Sequence, residues 1–157
     1  MASIPAPIAE FLTGERLAVA GVSRSGRLPA NAIFRRLRDV GYQVSPINPT
    51  TDEVEGVPCY PDVLSLPEAP DGVVIATHPD VAAGVVEQCA QRGVRQVWFH
   101  RSFGDGSVSD EAIRACERLG IDPIVGGCPL MFCGKVDLAH RCMRWWLQRK
   151  GRVPRNE

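Results

Sequence analysis

The segment LAVAGVSRSG, residues 17–26, decides how this chain is read. Leu17, Ala18, Val19 and Ala20 form a short apolar run suited to a buried strand. Gly21-x-Ser23-x-x-Gly26 follows at once, and Pro29 then suits the first turn of a helix. A glycine permits the tight turn, the first N–H groups of a helix are unpaired, and the aligned peptide dipoles place partial positive charge there. A strand–loop–helix junction of this kind binds phosphate. Ser23 and Ser25 add hydroxyl donors, while Arg24 and Arg27 add guanidinium forks that match a pyrophosphate. A lone glycine pattern is a weak signal, however, and a turn that needs only a flexible backbone would carry it too.

Outward from this loop the chain alternates between short apolar runs and stretches with helical periodicity. A short helix is expected over residues 6–12 and a strand over 17–22. After Pro29, the residues Ala32, Ile33, Leu37 and Val40 recur at helical spacing, and Gly41 ends that helix. Residues 42–47 read as the second strand, stopped by Asn48-Pro49. The Pro- and Gly-rich stretch 50–70 is expected to hold a short strand near 57–60 and one helical turn around 62–66. GVVIA, residues 72–76, is the clearest buried strand. A helix over 79–92 is expected to bury Val81, Val85, Val86 and Cys89 on one face; a strand over 94–99, a helix over 109–119 and a strand over 122–125 follow. The final helix is expected over about 136–148, with Val136, Ala139, Met143 and Trp146 on its inner stripe, and 149–157 as a frayed tail.

Strands joined by helical crossovers of this length pair in parallel, and right-handed crossovers make a doubly wound α/β sheet with ligands at the strands' carboxyl ends. Residues 1–157 read as a single Rossmann-like domain of ordinary size. A formal net charge of zero gives no whole-chain field to attract a nucleic acid. The first residues lack a secretory signal, no stretch is long and apolar enough to span a membrane, and the six cysteines make no C-x-x-C pair. A cytoplasmic protein with free thiols is expected. Homo-oligomerisation is possible, with nothing in the sequence to support it.

A dinucleotide site of the NAD type places an acidic residue at the end of the second strand to hold the ribose hydroxyls. Asn48-Pro49 stands there instead, and Asp52 and Glu53 come only later. The altered glycine loop and the missing acid both count against NAD, and neither counts against another nucleotide carrying a diphosphate.

Several segments in this order and spacing carry a resemblance: GVSRS at 21–25, NP at 48–49, GVPCYPDVLSLPEAPDGVVIA at 56–76, VWFHRSFGD at 97–105 and GGCPLMF at 126–132. The chain resembles the stand-alone CoA-binding domain family, related to the N-terminal domain of the succinyl-CoA synthetase α subunit, over roughly residues 8–132. The resemblance implies a Rossmann-like fold with coenzyme A, free or acylated, lying across the strand ends. Its diphosphate would rest on Gly21, Val22, Ser23 and Arg24, with Arg27 nearby. Asn48 and Pro49 would border the adenosine, and Thr77 and His78 the other wall. Family members often carry Gln and Gly after the fifth-strand Trp; His100, Arg101 and Ser102 follow Trp98-Phe99 here. The synthetase's phosphohistidine lies in a domain outside the resemblance, so ligase chemistry does not carry over.

Few other residues suggest chemistry. His78, His100 and His140 with Cys128 and Cys133 match no standard zinc spacing. Cys128, in GGCP, has two readings: a thiol able to form a mixed disulfide with a pantetheine arm, or a small buried side chain, the commoner fate of cysteine. Trp145, beside Arg141, Arg144 and Arg149, is expected to be exposed or to meet a partner. No catalytic triad, P-loop lysine or paired carboxylates stand out, so catalysis is not indicated. The alternatives to a non-catalytic CoA-binding module are an NAD(P)-dependent oxidoreductase-like protein and a thiol-redox protein acting through Cys128 with a depressed pKa.

Overall fold

The computed structural model describes residues 3–101 and 106–154. Five strands, β1 (Arg16–Ala20), β2 (Gln43–Ile47), β5 (Gly72–Ile75), β6 (Gln96–Phe99) and β7 (Asp122–Val125), form one parallel sheet in the order β2-β1-β5-β6-β7. Two short strands, β3 (Glu53–Val54) and β4 (Val57–Pro58), pair antiparallel outside it. The helices are α1 (Ala6–Phe11), α2 (Pro29–Val40), α3 (Pro79–Gln91), α4 (Asp110–Leu119) and α5 (Leu138–Arg149), with one 3₁₀ turn at Pro129–Met131.

The two-residue period of the strands builds two cores. Leu17, Val19, Val74, Trp98 and Ile124 face the layer containing α1 and α2, whereas Ala18, Ala20, Val73, Ile75, Val97 and Phe99 face that of α3 and α4. Each fully buried Val, Leu or Phe contributes roughly 1.5–3 kcal/mol, which is why the central strands read as unbroken apolar runs. At the amino edge, Asp71 Oδ2 accepts hydrogen bonds from the N–H groups of Glu15 and Arg16, both at 2.9 Å, and fastens the start of β1 to that of β5.

The order places β2 on one side of β1 and β5, β6 and β7 on the other. The crossover through α2 therefore leaves β1 over one face, and the crossovers through α3 and α4 run over the opposite face. A doubly wound sheet opens a crevice where its connections diverge, here between the carboxyl ends of β1 and β5.

Several expectations require correction. Residues 62–66 hold one hydrogen-bonded turn and no helix: Leu66 N–H donates to the Val63 carbonyl at 3.4 Å, and Asp62 Oδ1 accepts from both the N–H and the hydroxyl of Ser65 at 2.7 Å. Val81 is exposed instead of buried, and Ala82, Val86 and Cys89 are the buried stripe. α5 begins two residues later than expected because Asp137 caps it, accepting from the N–H of His140 at 2.9 Å. Its buried residue is Leu147, and Trp146 is 40% exposed where a core position was expected. Arg149 closes α5, and beyond the exposed Lys150, Gly151 and Arg152 the buried Val153 anchors the chain where a frayed tail was expected; 155–157 lie outside the described residues.

Candidate functional site

Three strand ends meet at the crevice. The chain leaving β1 through Gly21, Val22 and Ser23, that leaving β2 through Asn48 and Pro49, and that leaving β5 through Ala76, Thr77 and His78 line one cleft of about 750 Å³. Leu28, at the start of α2, and Val81, Val85 and Gln88 of α3 form its sides, with Pro61 and Asp62 at one end. Two helix N-termini open onto this space, since Leu28 precedes α2 and His78 precedes α3. Their dipoles favour an anion between them.

Gly21 makes the junction of β1 with β5 possible. Its φ is +103°, and a Cβ there would sit 2.6 Å from the carbonyl carbon of Ala76 and still closer to the carbonyl oxygen. Only glycine permits this approach, whether or not a ligand is bound.

Two asparagines hold the loop that follows. Asn48 Nδ2 donates to the Val22 carbonyl at 2.7 Å, while its Oδ1 accepts from the N–H and hydroxyl of Thr50 at 2.7 Å. Its backbone N–H donates to the Tyr60 carbonyl at 2.9 Å, so one residue joins the β1, β2 and β4 connections. Asn31, near the start of α2, accepts from Ser23 N–H at 2.9 Å and donates to the Ser23 carbonyl at 2.8 Å. The hydroxyls of Ser23 and Ser25 lie 2.7 Å apart.

Of the nine residues singled out from the sequence, Gly21, Val22, Ser23, Asn48, Pro49, Thr77 and His78 line the cleft. Arg24 and Arg27 do not line it; both are exposed, and among the described residues neither forms an ion pair. Long side chains on an exposed loop can swing over a neighbouring cleft, whose lining also carries the carboxylates of Asp62 and Asp80. His78 Nδ1 accepts from the N–H of Asp80 at 3.3 Å and so caps α3.

Asn31, Leu28, Val81 and Gln88 were missed by sequence reasoning. Gln88 Oε1 accepts from Val63 N–H at 3.2 Å, which fixes the 61–66 segment against α3. Asn31 carried a legible signal: it is a polar residue in the buried stripe of an otherwise apolar helix face, one turn before Phe34 and beside Ala30. A buried amide implies a specific hydrogen-bond partner.

The β6–β7 side of the edge is packed. His100 follows β6, and burial pushes its imidazole pKa down, favouring the neutral form. Ser102 to its carboxyl side lies outside the described residues, as does most of the RSFGD part of the quoted motif. Cys128 is buried with Trp98, Phe132 and Val153, and burial pushes its thiol up to about 11. That is the reverse of the depressed pKa a thiol-redox centre needs, and the redox alternative finds no support. Cys89 and Cys116, between α3 and α4, are pushed up to about 12 and about 11 by the same cause. Among the described residues no helix is long and apolar enough to cross a membrane, and no three His, Cys, Asp or Glu side chains are grouped to hold a metal.

A family profile described as "CoA binding domain" matches residues 15–133. The chain is similar to the ADP-forming acetate–CoA ligase I of Archaeoglobus fulgidus, 29% identical over 118 residues that cover 71% of this chain and 17% of that protein. It is similar in structure to a hypothetical protein from Pyrococcus horikoshii OT3, with a TM-score of 0.71 and 29% identity, covering 82% of this chain and 92% of that one. It is also similar to the dinucleotide forming acetyl-coenzyme A synthetase 1 of Ca. Korarchaeum cryptofilum, solved with phosphate and ADP, at TM-score 0.62 and 31% identity over 70% of this chain and 25% of that one. The chain spans 12%, 17% and 11% of the length of three archaeal ADP-forming acetate–CoA ligases that it matches.

Proposed function

The chain belongs to the CoA-binding domain family, and on that premise we propose that it is a non-catalytic module that binds coenzyme A or an acyl-CoA in the cleft between β1, β2 and β5. The diphosphate lies over the 21–25 loop, between the N-termini of α2 and α3, with Arg24 and Arg27 closing on it from the rim. The nucleoside end runs toward Asn48, Pro49 and the apolar side chains of Leu28 and Val81. Thr77 and His78 form the opposing wall.

The observation that carries this reading is the opening of two helix N-termini onto one cleft at the divergence of the crossovers, with the exposed Arg24 and Arg27 on the adjoining loop. Charge-assisted hydrogen bonds from Arg, together with the helix dipoles, supply what a diphosphate requires. The whole-ligase activity of the larger relatives is not assigned to these residues. The free thiols of the described residues fit a protein working in a reducing compartment such as the cytoplasm.

The test is direct. The purified protein is denatured, any released nucleotide is identified by mass, and the refolded or ligand-free protein is titrated with CoA and acetyl-CoA by calorimetry. Saturable one-to-one binding is expected with both; absence of heat and of any co-purified CoA species would reject the proposal.

A further inference from the structure

Asn31 and Ser107 are the two buried polar residues among those described, and Asn31 is 0% exposed. It stands at the third position of α2, between the buried Ala30 and Ile33. An amide placed there costs more than an apolar side chain unless both of its ends are paired. Both ends are paired, and with a single residue eight positions upstream: Oδ1 takes the N–H of Ser23 and Nδ2 gives to the Ser23 carbonyl. The Ser23 carbonyl also accepts from Gly26 N–H at 3.2 Å. Both peptide groups flanking Ser23 are thereby fixed from inside the protein.

The loop's hydrogen-bonding capacity is divided as a result. Ser23 N–H is committed inward and is unavailable to a ligand. The N–H groups of Arg24 and Ser25 have no hydrogen-bond partner among the described residues. We propose that Asn31 is the positioning residue of the phosphate loop: its buried carboxamide fixes Ser23 so that the N–H groups of Arg24 and Ser25, and not that of Ser23, meet the diphosphate. The inference rests on the CoA reading of the cleft and adds to it the residue that shapes the site without touching the ligand. Preorganisation of this kind raises affinity by removing the cost of ordering the loop at the moment of binding.

The carboxamide can be imitated in one protonation state only. In Asn31→Asp a protonated carboxyl reproduces the donor and the acceptor, whereas the carboxylate cannot donate and faces the Ser23 carbonyl. Burial raises the pKa of such a carboxyl, so the protonated share is larger at pH 5 than at pH 8. Affinity for CoA is measured for wild type and variant at both values, under conditions where far-ultraviolet circular dichroism shows each to be folded. The variant-to-wild-type ratio of Kd is expected to be about tenfold or more at pH 8, the equivalent of one lost buried hydrogen bond, and to fall to within about threefold at pH 5.

Asn31→Leu, which keeps the volume and removes both hydrogen bonds, is expected to bind about tenfold more weakly at either pH; it decides the matter if Asn31→Asp does not fold at pH 8. A residue that only stabilised the fold would leave the affinity of folded protein unchanged. Wild-type affinity in Asn31→Leu, or a pH-independent Asn31→Asp ratio, therefore overturns the inference. If wild-type protein itself fails to bind CoA, the reading of the cleft falls first and the inference with it.

Discussion

The carboxyl edge of the sheet has two unlike halves. At β2, β1 and β5 the strand ends surround an open cleft of about 750 Å³. At β6 and β7 the described residues are packed together: Trp98 Nε1 donates to the Gly126 carbonyl at 3.0 Å, and Phe132 lies 6.0 Å from the Trp98 ring. The Arg152 carbonyl presses so close to Gly126 that a Cβ there would overlap it, and Val153 contributes to the same core. Both halves are built from parallel strands with short apolar sequences, so strand chemistry does not explain the contrast. The direction of the crossovers does. Connections diverge to opposite faces only between β1 and β5, and a hole remains there; from β5 to β7 the connections share a face and nothing keeps the edge open.

If the closed half were in truth a channel for a thiol-bearing arm, Cys128 would react readily with small electrophiles. With its pKa pushed up to about 11 and its sulfur buried, Cys128 is expected to alkylate at least about a hundredfold more slowly at pH 8 than the exposed Cys142. Peptide mapping after timed iodoacetamide treatment measures this, and comparable rates would break the distinction between the halves. Trp98→Ala removes the centre of the closed half, where Trp98 also meets Phe11 edge-on at 5.5 Å. Urea denaturation is expected to show a loss of about 3–5 kcal/mol, with the affinity of the folded protein for CoA unchanged.

The open half answers in the opposite way. Arg24→Ala combined with Arg27→Ala should weaken CoA by about 2 kcal/mol, or some thirtyfold, because two charge-assisted contacts are lost. The urea midpoint should barely move, since neither side chain has a protein partner among the described residues. A normal affinity would remove the arginines from the site.

The amino edge, far from both halves, supplies the control. Hydrogen bonds from Arg16 and Glu15 N–H hold the Asp71 carboxyl below its usual range. A depressed folded-state pKa contributes stability that is present above the unfolded value near 4 and is lost as pH falls through the folded one. Asp71→Asn should therefore cost under about 1 kcal/mol at pH 7, because the site is largely solvated. That cost should shrink as pH falls below the unfolded value near 4 and through the lower folded one, and CoA affinity should stay constant throughout.

The sequence carried the open half well and the closed half poorly, for physical reasons. Strand–loop–helix order places residues 21–23, 48–49 and 77–78 at one edge of the sheet as soon as parallel pairing is inferred, and the structure brings all seven together. Asn31 was passed over because helical periodicity was read for its apolar members, although the polar exception was the informative one. Leu28 and Val81 were missed because their apolar side chains face the cleft and not the core, which a one-face helical pattern does not anticipate. On α5 the same reasoning chose Trp146 over Leu147. Arg144, set over the Phe132 ring at 4.5 Å and donating to the Ser3 carbonyl at 3.0 Å, takes an inward place that a hydrophobic stripe assigns to apolar residues. Val153 is legible only once its place in the core with Trp98, Cys128 and Phe132 is known.

The central claim is that the open half holds a CoA-type nucleotide and not a nicotinamide dinucleotide. Thermal unfolding with CoA, NAD and NADP tests it most directly. A ligand present at about 100 times its Kd adds about 2.7 kcal/mol to the stability of the folded state. CoA is expected to raise the melting temperature saturably while NAD and NADP leave it in place; a clear shift with NADP and none with CoA would contradict the account.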